Sequence, residues 1–374
     1  MFAHHINRKR LVDTFVELVS INSPSFQEQE IGELLAKKLE DAGCRVEKQE
    51  YDRSFNLLAF RKGARQEAPP LLLNAHMDTI EPTTGISLVM ENDLIRTTGT
   101  TVLGADDKSA LAQIVEAVTV LHERGIPHGD IEIALTSAEE KGLFGAKNLD
   151  HGRFRSRHAL VLDSSGSVGR LIVAAPTHLT YEMQITGRSA HAGIEPEKGI
   201  NAIRVAARII AGVPDGKLDE GTTANIGSIR GGTATNVVPK EVVLSGELRS
   251  HTVETLEKTK QSIYETAHRI AAECQARLRI EENMEYRAFR IQEDTLFLRF
   301  LQGVFRKCGI EPVLAATGGG SDANIFNQRG ITAINLSNGM QKVHSTEEYI
   351  SLKDLYNGCL VLLTAVANFG NAAI

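Results

Sequence analysis

The sequence is poor in cysteine and has no cysteine pair at the spacing of a metal or redox motif. Its four cysteines, Cys44, Cys274, Cys308 and Cys359, are scattered along 374 residues, and none belongs to a CxxC motif. This distribution argues against a thiolate zinc site and against a disulfide framework. Any metal ion in this protein must therefore be bound by imidazole and carboxylate groups.

Long hydrophobic runs and basic blocks are also missing. No apolar stretch approaches the roughly 20 residues that a membrane span needs, and the polar segment 1–10 has no apolar run behind its basic residues, unlike a signal peptide. The formal net charge is -6 at pH 7, so we expect neither nucleic acid nor a membrane as a main partner. These features predict a cytoplasmic protein.

Helix and strand patterns alternate in the first half of the chain. Short apolar segments at 71–73, 131–135 and 159–162 have the character of buried strands, whereas 109–121 has apolar residues at helical spacing and Gly125 as a stop. Such alternation predicts an α/β domain whose sheet is parallel or mostly parallel and is covered by helices. A length of 374 residues is more typical of two domains than of one.

The middle of the chain has a different order of elements. From about 176 to 287 the patterns indicate strand, helix, strand, strand, helix and strand, which is the order of a ferredoxin-like βαββαβ unit. The α/β pattern then resumes with a strand at 331–336. We therefore predict one α/β domain formed by residues 1–175 and 288–374, interrupted by a smaller α+β domain at 176–287.

Polar residues follow the ends of the predicted core strands. They are His76 and Asp78 after 71–73, Asp106 and Asp107 before 109–121, Glu139 and Glu140 after 131–135, Asp163 after 159–162, and His344 well after 331–336. Each of these alone is more typical of a structural role, such as a helix cap or a solvated pair. Because ligands bind at the carboxyl ends of strands in open α/β sheets, their convergence predicts a metal site.

The residue types suit a hydrolase with two metal ions. Imidazole and carboxylate ligands suit zinc, with cobalt or manganese as substitutes. In such enzymes a carboxylate bridges the ions, and a water between them becomes the nucleophile. That water needs a base, so one member of Glu139–Glu140 is predicted to bind metal while the other accepts the proton. Asp78 follows His76 closely and is placed to accept the second imidazole N–H.

Eight segments together carry a family resemblance. They are HMDT (76–79), GADDKSA (104–110), SAEEKGLFGA (137–146), LVLD (160–163), GRSAHAG (187–193), TNVVP (235–239), GGGSDAN (318–324) and VHSTEEYI (343–350). In this order they resemble the aminoacylase and carboxypeptidase family of dizinc exopeptidases, most closely its peptidase T-like branch. The resemblance implies a catalytic domain with an inserted lid, and a homodimer formed through that lid.

The resemblance also implies a role for each metal-binding residue. Asp106 would bridge two Zn²⁺ ions, with His76 and Asp163 completing one site and Glu140 and His344 the other. Glu139 would be the general base and would later pass the proton to the leaving amine. A cis peptide bond between Asp106 and Asp107 is implied as well.

Further roles are implied outside the metal ligands. His191 would stabilise the oxyanion of the tetrahedral intermediate, and in many relatives this histidine comes from the partner subunit. Asn236 and Arg249 resemble lid residues that contact the substrate carboxylate or the oxyanion, and the arginine fork suits a carboxylate. Gly319 is expected to let the backbone approach the substrate and Asp322 to line its pocket. The glycine run lacks the lysine of a P-loop, so no nucleotide site is expected.

Three functions remain open at this stage. The first is an aminopeptidase that releases the N-terminal residue of short peptides, as the form of GADDKSA and GGGSDAN indicates. The second is an N-acyl-amino-acid deacylase with the same metal site, and the third is a non-catalytic metal-binding assembly protein. Compared with the tripeptide aminopeptidases of the family it resembles, the chain is short, with a trimmed region between Asp78 and Gly104. We therefore expect the segment 81–96 to shape the pocket differently, which argues against a preference for tripeptides.

Overall fold

A computed structural model describes residues 2–370. Contacts within the chain divide it into two compact units. The first, called the large unit below, comprises the chain up to Val173, Arg290–Ala316 and the chain from Ser321 onward. The second, the small unit, comprises Ala174–Phe289 and Thr317–Gly320. The small unit thus includes the segment 176–287 that the sequence assigns to a lid, and it adds a short piece of the glycine-rich loop.

The elements are numbered here in chain order. The α-helices within residues 2–370 are α1 (Arg8–Val19), α2 (Gln29–Asp41), α3 (Ala105–Arg124), α4 (Phe144–Lys147), α5 (Ala202–Gly212), α6 (Val253–Glu273), α7 (Leu296–Lys307), α8 (Asp322–Gln328) and α9 (Leu352–Asn368). The strands are β1 (Arg45–Tyr51), β2 (Ser54–Arg61), β3 (Leu71–His76), β4 (Leu88–Glu91), β5 (Leu94–Thr97), β6 (Ile131–Thr136), β7 (His158–Ser164), β8 (Arg170–Ala175), β9 (Thr177–Thr186), β10 (Gly216–Lys217), β11 (Thr222–Gly231), β12 (Glu241–Ser250), β13 (Arg277–Tyr286), β14 (Phe289–Arg290), β15 (Val313–Ala316), β16 (Thr332–Ser337), β17 (Met340–Gln341) and β18 (Tyr349–Ser351).

The main sheet of the large unit has a parallel centre and antiparallel edges. Its strand order is β1-β2-β6-β3-β7-β16-β8-β14, with β15 beside β8. The neighbours β6, β3, β7 and β16 run parallel, whereas β2 and β8 join them in antiparallel fashion. All residues of β3 and β6 are buried, as expected for strands covered on both faces. The prediction of an α/β fold with a mostly parallel sheet is confirmed.

Helix α3 begins at the carboxyl edge of this sheet and is buried over most of its length. Gly125 follows it at φ 58° with its N–H bonded to the carbonyl of Leu121, so the predicted stop is correct. The buried Glu116 of this helix accepts bonds from the Arg10 side chain (Nε to Oε2, 2.6 Å) and from the Asn7 N–H (2.8 Å). The buried Glu116 carboxylate needs such partners. Because Asn7 and Arg10 lie at the start of α1, their hydrogen bonds hold α1 against α3.

A small second sheet in the large unit was not predicted. Its order is β17-β18-β5-β4, and it lies partly in the segment 81–96 that we expected to be distinctive. Asn92 and Asp93 turn the β4–β5 hairpin at φ 51° and 67°, a conformation that these residue types tolerate. Strands of two to four residues carry too little periodicity to be found by pattern. The loop with His344 runs between β17 and β18, so this sheet fixes both ends of that loop.

The small unit is an antiparallel sheet with two helices. The strand order is β10-β11-β12-β9-β13, and α5 and α6 contribute to a core with alternate residues of β9, including Leu179, Met183 and Ile185. Except for the short β10, the element order is the predicted βαββαβ, which is therefore confirmed. No helix within residues 2–370 is both long enough and apolar enough to span a membrane.

Candidate active site

The large unit gathers the predicted metal ligands at one edge of its parallel strands. His76 is the last residue of β3, Asp163 is near the end of β7, and Asp106 lies at the start of α3. Glu140 belongs to a 3₁₀ turn after β6, and His344 has φ 60° in the loop between β17 and β18. The carboxyl ends of the parallel strands β3, β6 and β7 therefore place His76, Glu140 and Asp163 near the start of α3, which carries Asp106. The loop with His344 reaches the same place from the second sheet.

Asp106 lies between the two histidines. Its Oδ1 is 3.0 Å from Nε2 of His76, and its Oδ2 is 3.3 Å from Nε2 of His344. His344 Nε2 is also 3.0 Å from Oε1 of Glu140, and His76 Nε2 is 3.9 Å from Oδ1 of Asp163. One ligand atom each from His76, Asp106 and Glu140 lies within 4.8 Å of the others. Asp106 Oδ1 is thus nearest to His76, Asp106 Oδ2 is nearest to His344, and Glu140 lies close to both histidines.

The hydrogen bonding of His76 fits a metal ligand. Its Nδ1 lies 2.8 Å from the backbone carbonyl oxygen of Asp78, which can only accept, so Nδ1 carries a proton. In the neutral imidazole Nε2 then directs a lone pair at the Asp106 carboxylate, an arrangement that a cation between them would stabilise. Two ligands of a tetrahedral zinc ion lie about 3.3 Å apart, close to the separations found here. The residues therefore fit a metal ion.

The clustered charges shift the pKa values of these groups. Burial, and then the charge of Asp163, raise the pKa of Glu139 well above its ordinary value. Burial acts in the same direction on Asp106, but hydrogen bonds from His344 and His76 lower the pKa of Asp106 overall. Hydrogen bonds to Asp106 and to Glu140 raise the pKa of His344 to about 11. Such concentrated negative charge is typical of a site for divalent cations.

Asp78 differs in detail from its predicted role. Its carbonyl oxygen, rather than its carboxylate, accepts the His76 N–H, because the nearer carboxylate oxygen is 3.5 Å from Nδ1. The carboxylate instead accepts the backbone N–H groups of Glu139 (2.9 Å) and Glu140 (3.2 Å), and the hydroxyl of Ser25 (2.7 Å). The residue thus holds a predicted ligand and the predicted base at once.

Asp107 is a site residue that sequence reasoning did not assign. Its Oδ2 accepts the backbone N–H of His76 at 3.2 Å, and its Oδ1 accepts the Asn338 amide at 2.8 Å. The peptide bond between Asp106 and Asp107 is cis, so that expectation is confirmed. Adjacency to Asp106 was the available signal for Asp107, whereas nothing in the sequence pointed to Asn338.

Glu348 was also missed, although it stands in the VHSTEEYI motif. Its carboxylate accepts the backbone N–H groups of Gly104 (2.7 Å) and Asp106 (3.0 Å), and the residue is buried. Burial raises the pKa of Glu348 to about 7. The side chain connects the loop that carries His344 to the loop that carries Asp106.

The residues expected to line the substrate pocket fall in different units. Asp322 is buried in the large unit, where its Oδ2 accepts bonds from Thr136 and from Asn74 (3.2 Å). Its Oδ1 has no hydrogen-bond partner among residues 2–370. Gly319 belongs to the segment of the small unit at 317–320, where its N–H donates to the Thr317 hydroxyl at 3.2 Å.

The small unit brings together the loops of His191 and Asn236. The N–H of Ala192 donates to the carbonyl of Asn236 at 3.0 Å, and both predicted residues are exposed. His191 Nδ1 lies 3.1 Å from the N–H of Gly193. Since Nδ1 accepts that bond, neutral His191 carries its proton on Nε2 and presents it as a donor.

Arg249 is more firmly held than the other predicted lid residues. Its guanidinium donates to Glu247 (3.2 Å) and to the carbonyl of Gly318 (3.3 Å), and it is 3.4 Å from the Tyr286 hydroxyl. His178 lies 3.0 Å from the same Glu247 carboxylate. A hydrogen bond from His178, and further bonds from Arg249, lower the pKa of Glu247 to about 2. The arginine therefore has a fixed orientation within the small unit.

An α/β unit with imidazole and carboxylate ligands at its strand ends, together with a free glutamate beside them, defines a metal-dependent hydrolase. Comparison with known proteins agrees with this class. A model of the peptidase dimerisation domain of the M20 family matches residues 173–284, and a model of peptidase family M28 matches residues 56–193.

Three relatives match most of the chain. The protein YqjE of Bacillus subtilis (strain 168) is 40% identical over 94% of this chain and 95% of its own. The crystal structure of the aminopeptidase PepT of Bacillus cereus ATCC 10987 is 37% identical, with TM-score 0.89, over 98% of this chain and 99% of its own. That of a tripeptidase of Staphylococcus aureus subsp. aureus mu50 is 34% identical, with TM-score 0.94, over 98% and 100%.

The chain belongs to the M20 family of metallopeptidases, in its peptidase T-like branch. It is therefore an enzyme that hydrolyses peptide bonds. The alternative of a non-catalytic metal-binding assembly protein is not supported.

Proposed function

We propose that this metallopeptidase is an aminopeptidase that releases the N-terminal residue of short peptides and uses two zinc ions. The relatives named as an aminopeptidase and a tripeptidase support this substrate class. The observation that carries the proposal is the position of Asp106, whose Oδ1 is nearest to His76 and whose Oδ2 is nearest to His344. Nitrogen and oxygen donors without thiolate favour zinc, with cobalt or manganese as substitutes.

The ligands divide into two groups around Asp106. In the proposed arrangement His76 and Asp163 complete one ion site, and Glu140 and His344 complete the other. Two bound divalent cations would acidify a water molecule and polarise the carbonyl of the scissile bond.

Glu139 is the proposed general base. Asp78 holds the Glu139 backbone, while no hydrogen bond to the Glu139 carboxylate is found within residues 2–370. That carboxylate can therefore take a proton from the attacking water and pass it to the leaving amine.

Several residues of the small unit are proposed to contact the substrate. The Nε2–H of His191 would donate to the oxyanion of the tetrahedral intermediate. Arg249 would bind the carboxylate of a short peptide, which its fork can do in bidentate fashion. The exposed Asn236 would add a contact to the oxyanion or the carboxylate. Gly319 and Asp322 remain proposed substrate-binding residues.

We also propose a homodimer formed through the small unit. The match to a peptidase dimerisation domain supports it. Exposed isoleucines on the small unit, Ile203 and Ile210 on α5 and Ile229 on β11, offer an apolar surface for a second copy. A cytoplasmic location also stays a proposal.

The substrate class is tested on purified protein loaded with zinc. Unblocked di- and tripeptides should be cleaved at their first bond, and acetylation of the N-terminus should abolish cleavage. Hydrolysis of N-acyl amino acids alone would contradict the aminopeptidase and leave a deacylase with the same metal site. Glu139→Gln serves as the inactive control on the same panel, since it separates the enzyme from contaminating peptidases.

A further inference from the structure

The turn after β6 is held in an unusual way. Four consecutive backbone N–H groups, those of residues 137–140, each donate to a side chain from elsewhere in the large unit. The acceptors are Asn56 for Ser137 (3.2 Å), Glu28 for Ala138 (2.9 Å), and Asp78 for both Glu139 (2.9 Å) and Glu140 (3.2 Å). The turn carries the proposed base and a proposed metal ligand, so its backbone geometry sets the position of both.

The carbonyl groups of the same turn are also satisfied. Those of residues 137, 138 and 139 accept the N–H groups of Gly145, Phe144 and Leu143. With the four N–H groups, this nearly completes the backbone hydrogen bonding of the turn. Ala138 is fully buried at φ 49°, a left-handed conformation that an alanine adopts only where its surroundings fix it. The turn is therefore imposed by its partners rather than by its own sequence.

Glu28 is the acceptor that has no assigned role. It precedes α2, is 1% exposed, and accepts three bonds, from the N–H groups of Phe26 and Ala138 (both 2.9 Å) and from the Ser54 hydroxyl (2.9 Å). The hydrogen bonds from Phe26 and Ser54 thus orient the Glu28 carboxylate toward the Ala138 N–H. Glu28 contacts the residue just before Glu139 and does not reach the metal ligands through any hydrogen bond of its own.

We propose that Glu28 is a positioning residue for catalysis, which holds the Ala138 N–H so that the Glu139 carboxylate points at the reacting water. The proposal rests on the proposed function of Glu139 as base. Without the Glu28 acceptor, the buried Ala138 N–H would lose its partner, and the strained turn would relax to satisfy it. The N–H groups of Glu139 and Glu140 both keep their acceptor in Asp78. Because Glu139 directly follows Ala138 and Glu140 lies one residue further along, the change should act on the base more than on the metal ligand.

The test compares Glu28→Ala with Glu28→Gln. In the alanine variant we expect kcat to fall about 100-fold, the effect of a displacement of order 1 Å in a reacting group. KM and metal content per chain should stay close to those of the wild type, and amide exchange in 137–140 should become faster. Glu28→Gln keeps an oxygen acceptor of the same length, so it should recover most of kcat.

Glu132 offers a matched control in β6, the strand that leads into this turn. This glutamate is 2% exposed near the start of β6 and accepts the N–H groups of Arg155 and Ser156 (both 3.0 Å) and the Ser156 hydroxyl (2.7 Å). Glu132→Ala should lower Tm as Glu28→Ala does, yet leave kcat per folded chain unchanged. If the alanine variant of Glu28 does not fold, Glu28→Asp replaces it, because the shorter side chain withdraws the acceptor from Ala138.

Three results would overturn the proposal. They are an unchanged kcat in Glu28→Ala or Glu28→Asp, a loss of metal that accounts for the loss of activity, and an equal loss of kcat in Glu132→Ala. An inactive wild type would instead count against the proposed function, while the exchange of amides 137–140 would still report whether Glu28 holds the turn.

Discussion

The predicted site residues of the large unit and those of the small unit differ in how they are held. His76, Asp78 and Asp106 are buried, and each has partners from other loops at 3.0 Å or less. His191 and Asn236 are exposed, and the contacts that fix their loops come from within the same pair of loops. The metal-binding geometry is thus set by the fold of the large unit alone. His191 and Asn236 are thus less constrained by surrounding contacts than the predicted metal ligands of the large unit.

This difference has an energetic side. Removing one partner of a buried ion pair in the large unit should lower the free energy of unfolding strongly, because the remaining charge stays out of water. Removing one partner of a half-exposed ion pair in the small unit should lower it less, because water and salt screen such pairs. Variants that change stability should therefore have a larger effect in the large unit than in the small unit. Two catalytic variants and two stability variants are given below, from the largest expected effect to the smallest.

The largest effect is expected from Glu139→Gln in the large unit. Without a proton acceptor, kcat should fall by roughly 10³ to 10⁴, at the upper end of what general bases contribute. Metal content should not change, because the account places Glu139 outside the ligand set. Metal analysis and steady-state kinetics on one preparation check this, and loss of an ion would show that Glu139 is a ligand.

His191→Ala in the small unit should have the next largest effect. Loss of a donor to the oxyanion typically lowers kcat by about 10² to 10³, with metal content unchanged. Mixing this variant with Glu139→Gln under conditions of subunit exchange tests which active site His191 serves. If His191 serves the site of the partner subunit, mixed dimers regain activity, whereas a histidine acting within its own chain gives no recovery.

Arg10→Ala should destabilise the large unit without affecting the chemistry. It leaves the Glu116 carboxylate, 1% exposed, with the Asn7 N–H as its described partner. We expect a loss of about 3 kcal/mol in the free energy of unfolding. Denaturant titration measures it, and kcat per folded chain is the control. A loss below 1 kcal/mol would contradict the contrast between the units.

Glu247→Gln should have the smallest effect and one that depends on pH. The pKa of Glu247 is lowered to about 2 from an ordinary value of 4.5. Its stabilisation is therefore fully present above pH 4.5 and is lost as the pH falls toward 2. Because about a third of this side chain is exposed, screening reduces the expected effect to about 1 kcal/mol. Denaturant titrations of both proteins should differ at pH 7, differ less at pH 3, and converge near pH 2; a constant difference would contradict the assignment.

The sequence was sufficient for the α/β order, the inserted βαββαβ unit and the convergence of ligands at the strand ends. Buried strands such as 71–73 have continuous apolar runs, and the residue that follows a parallel strand lies at a known edge. The hairpin 88–97 was missed because its strands are short and half-exposed.

The supporting contacts could not be predicted from the sequence. Glu28, Asn338 and Glu348 meet the site across long stretches of chain, and each looks like an ordinary polar residue in its local context. The sequence also did not show that the backbone carbonyl of Asp78, and not its carboxylate, accepts the His76 N–H. Which of several nearby oxygens accepts a bond depends on the packed geometry and not on the spacing along the chain.

The central claim is that Asp106 lies between two metal sites, and metal titration of the apoprotein tests it most directly. Calorimetry and elemental analysis should show that chelator-treated wild type binds two Zn²⁺ per chain. The Asp163→Ala and His344→Ala variants should each bind one Zn²⁺ per chain, and Asp106→Ala should bind none with comparable affinity. Circular dichroism confirms that each variant is folded. A wild type that binds a single ion, or an Asp106→Ala variant that still binds two, would contradict the account.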